Sequence, residues 1–406
     1  MRAGRVFTAL VVLTSLGAAG ALAQANSNAG PIRIGVLEDM SGPLADLGGP
    51  GNVLGVRMAV EDFGGEVLGR KIEVLSGDDQ NKPDIGLSIV RRWFDIDNVN
   101  MVTGLGNSGV ALAVQNLAKE RKRVNIVIGS AATDLSGKMC SPTGFQWNWS
   151  TRAIAATVVN GMMDNQQANS WYFLTVDYAF GHSMEQEASA IVREKGGVVS
   201  GAARHPLGTV DYASFILQAQ GSKAQVVALA NVSADLVNSV KTAKEFGVAA
   251  GGQKLAAFVL SQNDAAALGP TAAQGLLTAA VFFPGMNDET RSFSERFAAR
   301  SKGKMPGANQ AGAYSATLHY LKAVKAAGTD APEAVAAAMR NTPVTDLVNK
   351  DARIRADGRL MRNLYLAEMK GPSEVRFPGD FYKIVTKIDP ETAFGKISDA
   401  CVIEKQ

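Results

Sequence analysis

Short apolar runs rich in β-branched residues alternate along this chain with segments whose apolar positions recur at helical spacing. The first run, Ile32 to Leu37, predicts a strand, and Val53 to Phe63 predicts the helix that follows it. The alternation continues to position 128 and begins again after position 150. Such a series is typical of a parallel sheet covered by helices on both faces. We therefore predict an α/β protein with two doubly wound parallel-sheet lobes.

The last third of the chain shows a different pattern. It predicts a strand over Gly275 to Phe283, helices over Thr290 to Ser301, Gln310 to Ala327 and Pro332 to Arg340, and a β-hairpin region over Ala352 to Glu368 with Asp357-Gly358 at its turn. We expect these elements to complete both sheets, with a multi-strand hinge between the lobes. The predicted first lobe comprises residues 31–149 and about 282–350, the second residues 150–281 and about 351–395, and residues 396–406 form a C-terminal tail.

Composition and charge exclude several classes of protein. Of the 406 residues, 46% are hydrophobic and 19% are charged, a composition that excludes an intrinsically disordered chain. Lysine and arginine number 41 against 38 acidic residues, so the formal charge of +3 provides no basic face for phosphate groups. We expect no nucleic-acid partner.

The N-terminus predicts export. Arg2 and Arg5 precede an uncharged run, and Ala21-Leu22-Ala23 has the small-x-small pattern of a signal-peptidase site. We interpret residues 1–23 as a cleaved signal peptide and expect a secreted protein. The alternative is a membrane anchor, because the uncharged run is nearly long enough to span a bilayer.

Two cysteines, Cys140 and Cys401, follow the predicted cleavage site. An even count in an oxidising compartment favours one disulfide, which would tie the C-terminal tail to the middle of the chain. The alternative is two unrelated buried thiols. Their spacing excludes a CxxC redox or metal site.

The segment from Gly104 to Gly109 satisfies the G-x-G-x-x-G expression, follows a predicted strand and opens a predicted helix. A dinucleotide site also needs an acidic residue near the end of the next strand, and that strand ends in Gly129-Ser130-Ala131. Backbone N–H groups at a helix N-terminus, together with the Ser108 hydroxyl, would instead suit a carboxylate. Ser108 could equally be a plain N-cap.

Patterns for catalysis and metal binding are weak. Gly181-His182-Ser183-Met184-Glu185 begins like a nucleophile elbow but has Glu185 where the motif requires glycine. The chain has three scattered histidines and no HxxxH pair, so we expect no metal and no cofactor. A secreted dinucleotide-dependent or hydrolytic enzyme remains the alternative from a different functional class.

Five segments, taken together, resemble one family, the periplasmic solute-binding proteins of ABC importers in the leucine/isoleucine/valine-binding group. The segments are residues 34–43, 78–83, 129–133, 177–181 and 310–315. The resemblance implies a type I bilobal binding protein, most simply a monomer, that closes on a small solute and delivers it to a membrane permease. It implies a periplasmic protein that is not an enzyme.

The resemblance also implies a set of ligand-binding residues. Ser108, the backbone around Ala131 and the Thr133 hydroxyl would hold the carboxylate of the solute, on loops of the first lobe. Tyr178 and the loop around Asn231 would contribute from the second lobe. Leu47 lies where relatives place an aromatic residue against the ligand. For each of these residues an ordinary structural role is the alternative.

The choice of ligand is narrowed because a buried ammonium group requires an acceptor, usually an acidic side chain. Branched-chain amino-acid binders carry a glutamate near the position of Phe258 to Asn263, a stretch without an acid here, and Asp264 is the nearest one. Segments at 140–142 with 147–149, 314–316 with 319–322, and 380–383 resemble the branch of the family associated with aromatic carboxylates. Four aromatic residues near the predicted lobe crossings could form apolar walls: Trp147, Trp149, Phe282 and Phe283. We therefore favour an aromatic or other apolar carboxylate over leucine, isoleucine or valine.

Overall fold

The computed structural model describes Met1 and residues 30–166 and 168–403. The rest of the predicted signal peptide, residues 2–23, lies outside the described residues. Across the described part of the chain, no helix is both long enough and apolar enough to cross a membrane.

Helices and strands alternate over most of this length. The α-helices are α1 (Gly49–Phe63), α2 (Pro83–Asp95), α3 (Ser108–Glu120), α4 (Thr151–Gln166), α5 (Ala179–Glu194), α6 (Ala213–Gly221), α7 (Ser233–Glu245), α8 (Gln262–Ala273), α9 (Asp288–Arg300), α10 (Ala308–Ala327), α11 (Pro332–Asn341) and α12 (Pro390–Phe394). The strands are β1 (Ile32–Glu38), β2 (Glu66–Val67), β3 (Arg70–Asp78), β4 (Met101–Gly104), β5 (Val124–Val127), β6 (Gly144–Gln146), β7 (Ser170–Val176), β8 (Val198–His205), β9 (Val226–Ala230), β10 (Lys254–Ala257), β11 (Leu277–Ala280), β12 (Arg353–Ile354), β13 (Leu360–Met361), β14 (Leu364–Met369) and β15 (Tyr382–Ile388).

The strands form two large sheets in which most neighbours are parallel. The first sheet has the order β2-β3-β1-β4-β5-β6, and the second has the order β15-β14-β11-β10-β9-β7-β8. Every residue of β5 and β9 is buried, as expected for parallel strands covered on both faces. Antiparallel pairing is confined to one end of each large sheet. The predicted α/β class is confirmed.

The last third of the chain supplies helices to the first sheet and strands to the second. Helix α10 packs along α1. Gly55 allows this approach, because a Cβ there would lie 2.5 Å from the Gln310 carbonyl oxygen. Strands β11, β14 and β15 extend the second sheet. The exact limits of the two lobes remain a prediction.

Several element predictions are corrected by the structure. The strand expected over residues 275–283 is only β11, and the expected hairpin region divides, since β12 pairs with β13 while β14 joins the second sheet. The sequence pattern misses α8 because Gly269, with φ of +71°, and Pro270 interrupt it. It also misses β15, where most side chains are exposed and no apolar run marks the strand.

Within the described residues the chain passes between the two sheets three times: after β6, after β11 and before β14. Arg359, on the third passage, donates hydrogen bonds to the carbonyl oxygens of Trp147 and Trp149 on the first. Arg362 donates over 2.7 Å to the carbonyl oxygen of Val281 on the second. Both arginine side chains are buried. The three passages are therefore linked side by side.

Cys140 and Cys401 form a disulfide, as expected from the sequence, with their Cα atoms 5.6 Å apart. Cys140 is buried beyond the end of β5, and Cys401 lies in the tail that follows α12. The bond closes a loop of 261 residues and attaches the tail to the first-sheet side of the molecule.

We expect Cys401→Ser to lower the free energy of unfolding by roughly 2 to 5 kcal/mol, because it frees a long loop in the unfolded chain. Urea denaturation of the variant and of the wild type, with and without reductant, measures the effect. Reductant should destabilise the wild type and leave the variant unchanged. Ser398→Ala, in the same tail, is the control, and equal stability of Cys401→Ser and wild type would show that the bond contributes nothing.

Three acidic side chains, Glu38, Asp39 and Asp79, are buried where β1 and β3 end. Glu38 accepts a hydrogen bond from Asn52 Nδ2 over 2.5 Å and another from the Gly106 backbone N–H. Burial raises the pKa of Glu38 to about 8, and the charge of Asp79 adds to the effect. Burial also raises the pKa of Asp79 to about 6.

The glycine-rich turn over residues 104–109 makes room for the Glu38 carboxyl group. A Cβ at Gly106 would lie 2.6 Å from Glu38 Oε2, and a Cβ at Gly104 would lie 2.8 Å from Glu38 Oε1. Gly104 also has a φ of +92°, a conformation that favours glycine. Packing around the Glu38 carboxyl group therefore explains the glycines of this motif without a bound dinucleotide.

A raised carboxyl pKa means that the folded protein binds this proton more tightly than the unfolded chain. Glu38 therefore contributes stability that is fully present below about pH 4.5 and is lost as the pH rises through about 8. Asp79 acts in the same direction between about pH 4 and 6.

We expect the free energy of unfolding of the wild type to fall as the pH rises from 6 to 9, and we expect Glu38→Gln to reduce this fall. One proton accounts for at most about 1.4 kcal/mol per pH unit. Urea denaturation across this range measures the slope. Glu61→Gln, which changes an exposed carboxylate paired with Arg300, is the control and should keep the wild-type slope. An unchanged slope in Glu38→Gln would contradict the assignment.

Candidate functional site

A cavity lies between the two sheets, where loops from the carboxyl ends of their strands meet. This edge is where ligands bind in doubly wound folds. The first-sheet side contributes Asp46, Leu47, Gly106, Gly129, Ala131 and residues 307–310. The second-sheet side contributes Tyr178, Phe180, Val232, residues 259–263, Ala279, Ala280 and Tyr382, and the passages between the sheets contribute Trp149 and Phe282.

Glycine and alanine contribute much of the first-sheet wall, at positions 106, 129, 131, 307 and 308. Gly129 approaches Gly106 so closely that a Cβ would lie 2.9 Å from the Gly106 Cα atom. Among the hydrogen bonds of the described residues, none is donated by the backbone N–H of Ala131 or Ala132. Of these two residues Ala131 lines the cavity, so its N–H is a backbone donor that the described part of the protein does not use.

The loop that carries Leu47 is held by the start of α10. Asn309 Nδ2 and Gln310 Nε2 both donate to the Leu47 carbonyl oxygen, over 3.2 and 3.1 Å. Asn309 Oδ1 accepts from Trp149 Nε1 over 3.1 Å. Asn309 therefore fixes two walls of the cavity at once. The sequence pattern gives no signal for Asn309 itself, although the family-like segment 310–315 begins at the next residue.

The two sides of the cavity contact each other directly. Asn263 Nδ2, on α8, donates to the Asp46 carbonyl oxygen over 2.6 Å. Ser183, on α5, shares a hydrogen bond of 2.6 Å with Thr151, which in turn shares one of 2.8 Å with Thr133. These contacts link the two sides of the cavity.

Tyr178 and Phe180 form the aromatic part of the second-sheet wall, with ring centroids 6.0 Å apart. The Tyr178 hydroxyl has no hydrogen-bond partner among the described residues. Burial, and then the charge of Asp235, raises the pKa of Tyr178. Its hydroxyl therefore stays protonated at neutral pH and can donate to a ligand.

Asp264 is committed to the start of α8. Its side chain accepts a hydrogen bond from the Ser261 N–H over 2.9 Å, while the Ser261 hydroxyl accepts from the Asp264 N–H over 3.2 Å. This reciprocal capping box satisfies two backbone donors of the helix. Burial raises the pKa of Asp264 to about 6. Asp264 is not among the residues that line the cavity.

The six sequence-predicted ligand residues divide into two groups. Leu47, Ala131 and Tyr178 line the cavity, whereas Ser108, Thr133 and Asn231 do not. Of the four aromatic candidates, Trp149 and Phe282 line it, and Trp147 and Phe283 are core residues.

The three residues outside the lining have identifiable surroundings. Ser108 is the first residue of α3 and not its N-cap, because Asn107 Oδ1 accepts from the Gly109 and Val110 N–H groups. Its buried hydroxyl has no partner within the described residues. Thr133 Oγ1 accepts a hydrogen bond from the Arg152 N–H in addition to its contact with Thr151.

Asn231 belongs to a buried polar network of the second sheet. Its Nδ2 donates to Ser239 Oγ over 3.1 Å and to His205 Nε2 over 3.2 Å. To accept at Nε2 the His205 ring must be neutral, and burial favours this form because it lowers the pKa of His205. His205 Nδ1 donates to the Pro206 carbonyl oxygen, which fixes the tautomer.

The elbow-like segment does not assemble a catalytic group. His182 pairs with Asp177 over 2.7 Å at the surface, and Ser183 is bonded to Thr151. Across the described ranges, no group of three or more His, Cys, Asp and Glu side chains is arranged to hold a metal ion.

Known proteins share this architecture. The periplasmic binding protein family matches residues 31–374. A periplasmic binding protein from Burkholderia mallei is 40% identical, with a TM-score of 0.87 over 89% of this chain and 96% of that one. A branched-chain amino acid ABC transporter periplasmic ligand-binding protein from Burkholderia xenovorans is 37% identical, with a TM-score of 0.80 over 90% and 97%.

A more distant structure shares the fold. A solute-binding protein of an ABC transporter from Rhodopseudomonas palustris, solved with benzoate, is 23% identical, with a TM-score of 0.79 over 89% of this chain and 97% of that one. The proteins in these comparisons bind solutes and are not enzymes. The chain belongs to the periplasmic binding protein family and is a solute-binding protein of the type that serves branched-chain amino acid ABC importers.

Proposed function

We propose that the protein captures a small aromatic carboxylate in the cavity between its sheets and delivers it to the membrane permease of an ABC importer. The observation that carries this proposal is the chemistry of the cavity wall. Aromatic and aliphatic side chains dominate it, and among the described residues that line it Asp46 is the one acid. That carboxylate is largely exposed and pairs with Lys304 over 2.9 Å.

A buried α-amino acid would need an acceptor for its ammonium group. Asp264 is the acid nearest in sequence to the stretch 258–263, where branched-chain amino-acid binders carry a glutamate. Its side chain caps α8, so it is not available as the acceptor of an ammonium group. Leucine, isoleucine or valine remains the second candidate, since a 37% identical protein is described as a branched-chain amino acid transporter component. The distant relative solved with benzoate shares the fold alone, so it only suggests test ligands.

We propose that the unused N–H group of Ala131 and the Tyr178 hydroxyl, both from residues that line the cavity, hold the carboxylate of the solute. Backbone donors suit a carboxylate because charge-assisted hydrogen bonds compensate its desolvation. The Ser108 hydroxyl, which is buried without a partner, is a further candidate donor. Thr133 would act indirectly, by fixing the loop that it shares with Thr151.

Residues 1–23 would be removed on export, which would place the mature chain in the periplasm. We expect the mature protein to act as a monomer with neither cofactor nor nucleic acid. The three passages between the sheets would act as the hinge on which the lobes close, and Arg359 links two of these passages.

We expect benzoate or 4-hydroxybenzoate at 100 times its dissociation constant to raise the free energy of unfolding by about 2.7 kcal/mol. Small-angle scattering should show a smaller radius of gyration with ligand, and chromatography should recover the ligand unchanged. Leucine is the comparison ligand. Micromolar binding of leucine without binding of benzoates would overturn the choice of solute, and turnover of a bound ligand would overturn the binding role itself.

We expect Tyr178→Phe to weaken benzoate binding by roughly 10-fold or more, because it removes a donor to a charged group. Isothermal titration calorimetry measures the change. Tyr172→Phe is the matched control, since Tyr172 is buried in the second sheet and does not line the cavity. Thr133→Ala should cost less than Tyr178→Phe, and the reverse order would place Thr133 on the carboxylate.

A further inference from the structure

We propose that Gln262 is a specificity residue whose side-chain oxygen accepts a hydrogen bond from an uncharged donor on the solute, a phenolic hydroxyl in the case of an aromatic carboxylate. This inference rests on the proposed function and names the feature by which the cavity would distinguish one aromatic carboxylate from another.

The first observation is an unsatisfied acceptor on a residue that lines the cavity. Gln262 is the first residue of α8 and lines the cavity, and only 5% of its surface is exposed. Its Oε1 atom is buried and has no hydrogen-bond partner among the described residues. A buried acceptor without a partner costs free energy, so a ligand donor that reaches it would be favoured.

The second observation is that the orientation of the amide is fixed. Gln262 Nε2 donates to the Gly379 carbonyl oxygen over 2.8 Å. Because a carbonyl oxygen can only accept, the amide cannot turn over, and Oε1 must be the atom left without a partner. A Cβ at residue 379 would lie 2.9 Å from Nε2, and Gly379 has a φ of +87°. The backbone at this point is therefore shaped around the amide.

The third observation is that the segment before Gln262 is held in place. The Tyr382 hydroxyl lies 3.0 Å from the Leu260 carbonyl oxygen and 2.8 Å from that of Ser261. The capping box of Ser261 and Asp264 fixes the start of the helix. An acceptor on such a support is preorganised, so little entropy is lost when a ligand bonds to it.

The charge of the surroundings favours an uncharged donor. An ammonium group would need an anionic partner beside the amide oxygen. Asp264 accepts the Ser261 N–H, and the Asp46 carboxylate pairs with Lys304. A hydroxyl group requires only one acceptor, and an aromatic ring that carries it matches walls formed by Trp149 and Phe180.

Gln310 provides an internal contrast in the same cavity. Its Nε2 donates to the Leu47 carbonyl oxygen, and its Oε1 accepts from the Gly307 N–H over 2.8 Å. Both ends of this amide are therefore used by the protein. Of the two glutamines that line the cavity, Gln262 is the one with an acceptor to spare.

The test compares solutes that differ only in the donor. Calorimetry would measure wild type, Gln262→Met and Gln310→Met with benzoate, with 3- and 4-hydroxybenzoate, and with the corresponding methyl- and methoxybenzoates. We expect the wild type to prefer one hydroxybenzoate over its methyl analogue by roughly 3- to 10-fold. The methoxy analogue, which cannot donate, should show no such gain. Gln262→Met should abolish the preference, whereas Gln310→Met should weaken hydroxy and methyl ligands alike.

The outcomes separate this inference from the function on which it rests. Equal wild-type affinity for hydroxy and methyl analogues would overturn the role of Gln262 and leave aromatic carboxylate binding intact. Retention of the preference in Gln262→Met would do the same. Should that variant fail to fold, the methoxy comparison in the wild type still decides. Binding of leucine with no binding of any benzoate would overturn the proposed function, and the inference with it.

Discussion

Within the described residues the backbone passes three times between the two large sheets, and two buried guanidinium groups on the last passage hold the other two passages. Arg359 bonds to the carbonyl oxygens of Trp147 and Trp149, and Arg362 bonds to that of Val281. A buried charge carries a desolvation cost of several kcal/mol, so it persists only where hydrogen bonds compensate it. Burial lowers the pKa of Arg362 to about 10, which leaves it charged at neutral pH. The ring of Trp149 lines the cavity, so the geometry of the site depends on how these passages are held.

The cavity wall contributed by the first sheet depends on the absence of side chains. Gly106 and Gly129 allow two loops to approach within van der Waals contact, and the same Gly106 leaves space for the carboxyl group of Glu38. The glycines that match the dinucleotide-binding motif therefore allow the turn to pack around the buried Glu38 carboxyl group. The consequence is a wall to which glycine residues bring the backbone.

Most polar groups around the cavity are used to build it. Asn309 holds the Leu47 loop and Trp149, Asp264 caps α8, and Tyr382 holds the segment before that helix. A buried amide or carboxylate that is fully bonded within the protein has little left to offer a ligand. Recognition can then depend on a small number of unsatisfied atoms in an otherwise apolar cleft.

The sequence by itself determined the class of the fold, because hydrophobic periodicity is a local property that strands and helices impose directly. It also indicated the Cys140–Cys401 bond. The resemblance to a family pointed to Leu47, Ala131 and Tyr178, which line the cavity, while their contact with a ligand stays a prediction. It misplaced elements whose pattern is weak, such as α8, which contains Gly269 and Pro270.

Only the tertiary structure decided which polar atoms are already bonded. Thr133 and Asn231 carry suitable chemistry for a ligand, yet Thr133 is hydrogen-bonded to Thr151, 18 residues away along the chain, and Asn231 to His205, 26 residues away. The importance of Gln262 arises likewise from Gly379, 117 residues further on. Hydrogen-bond satisfaction is a property of packed neighbours, and periodicity along the chain carries no information about them.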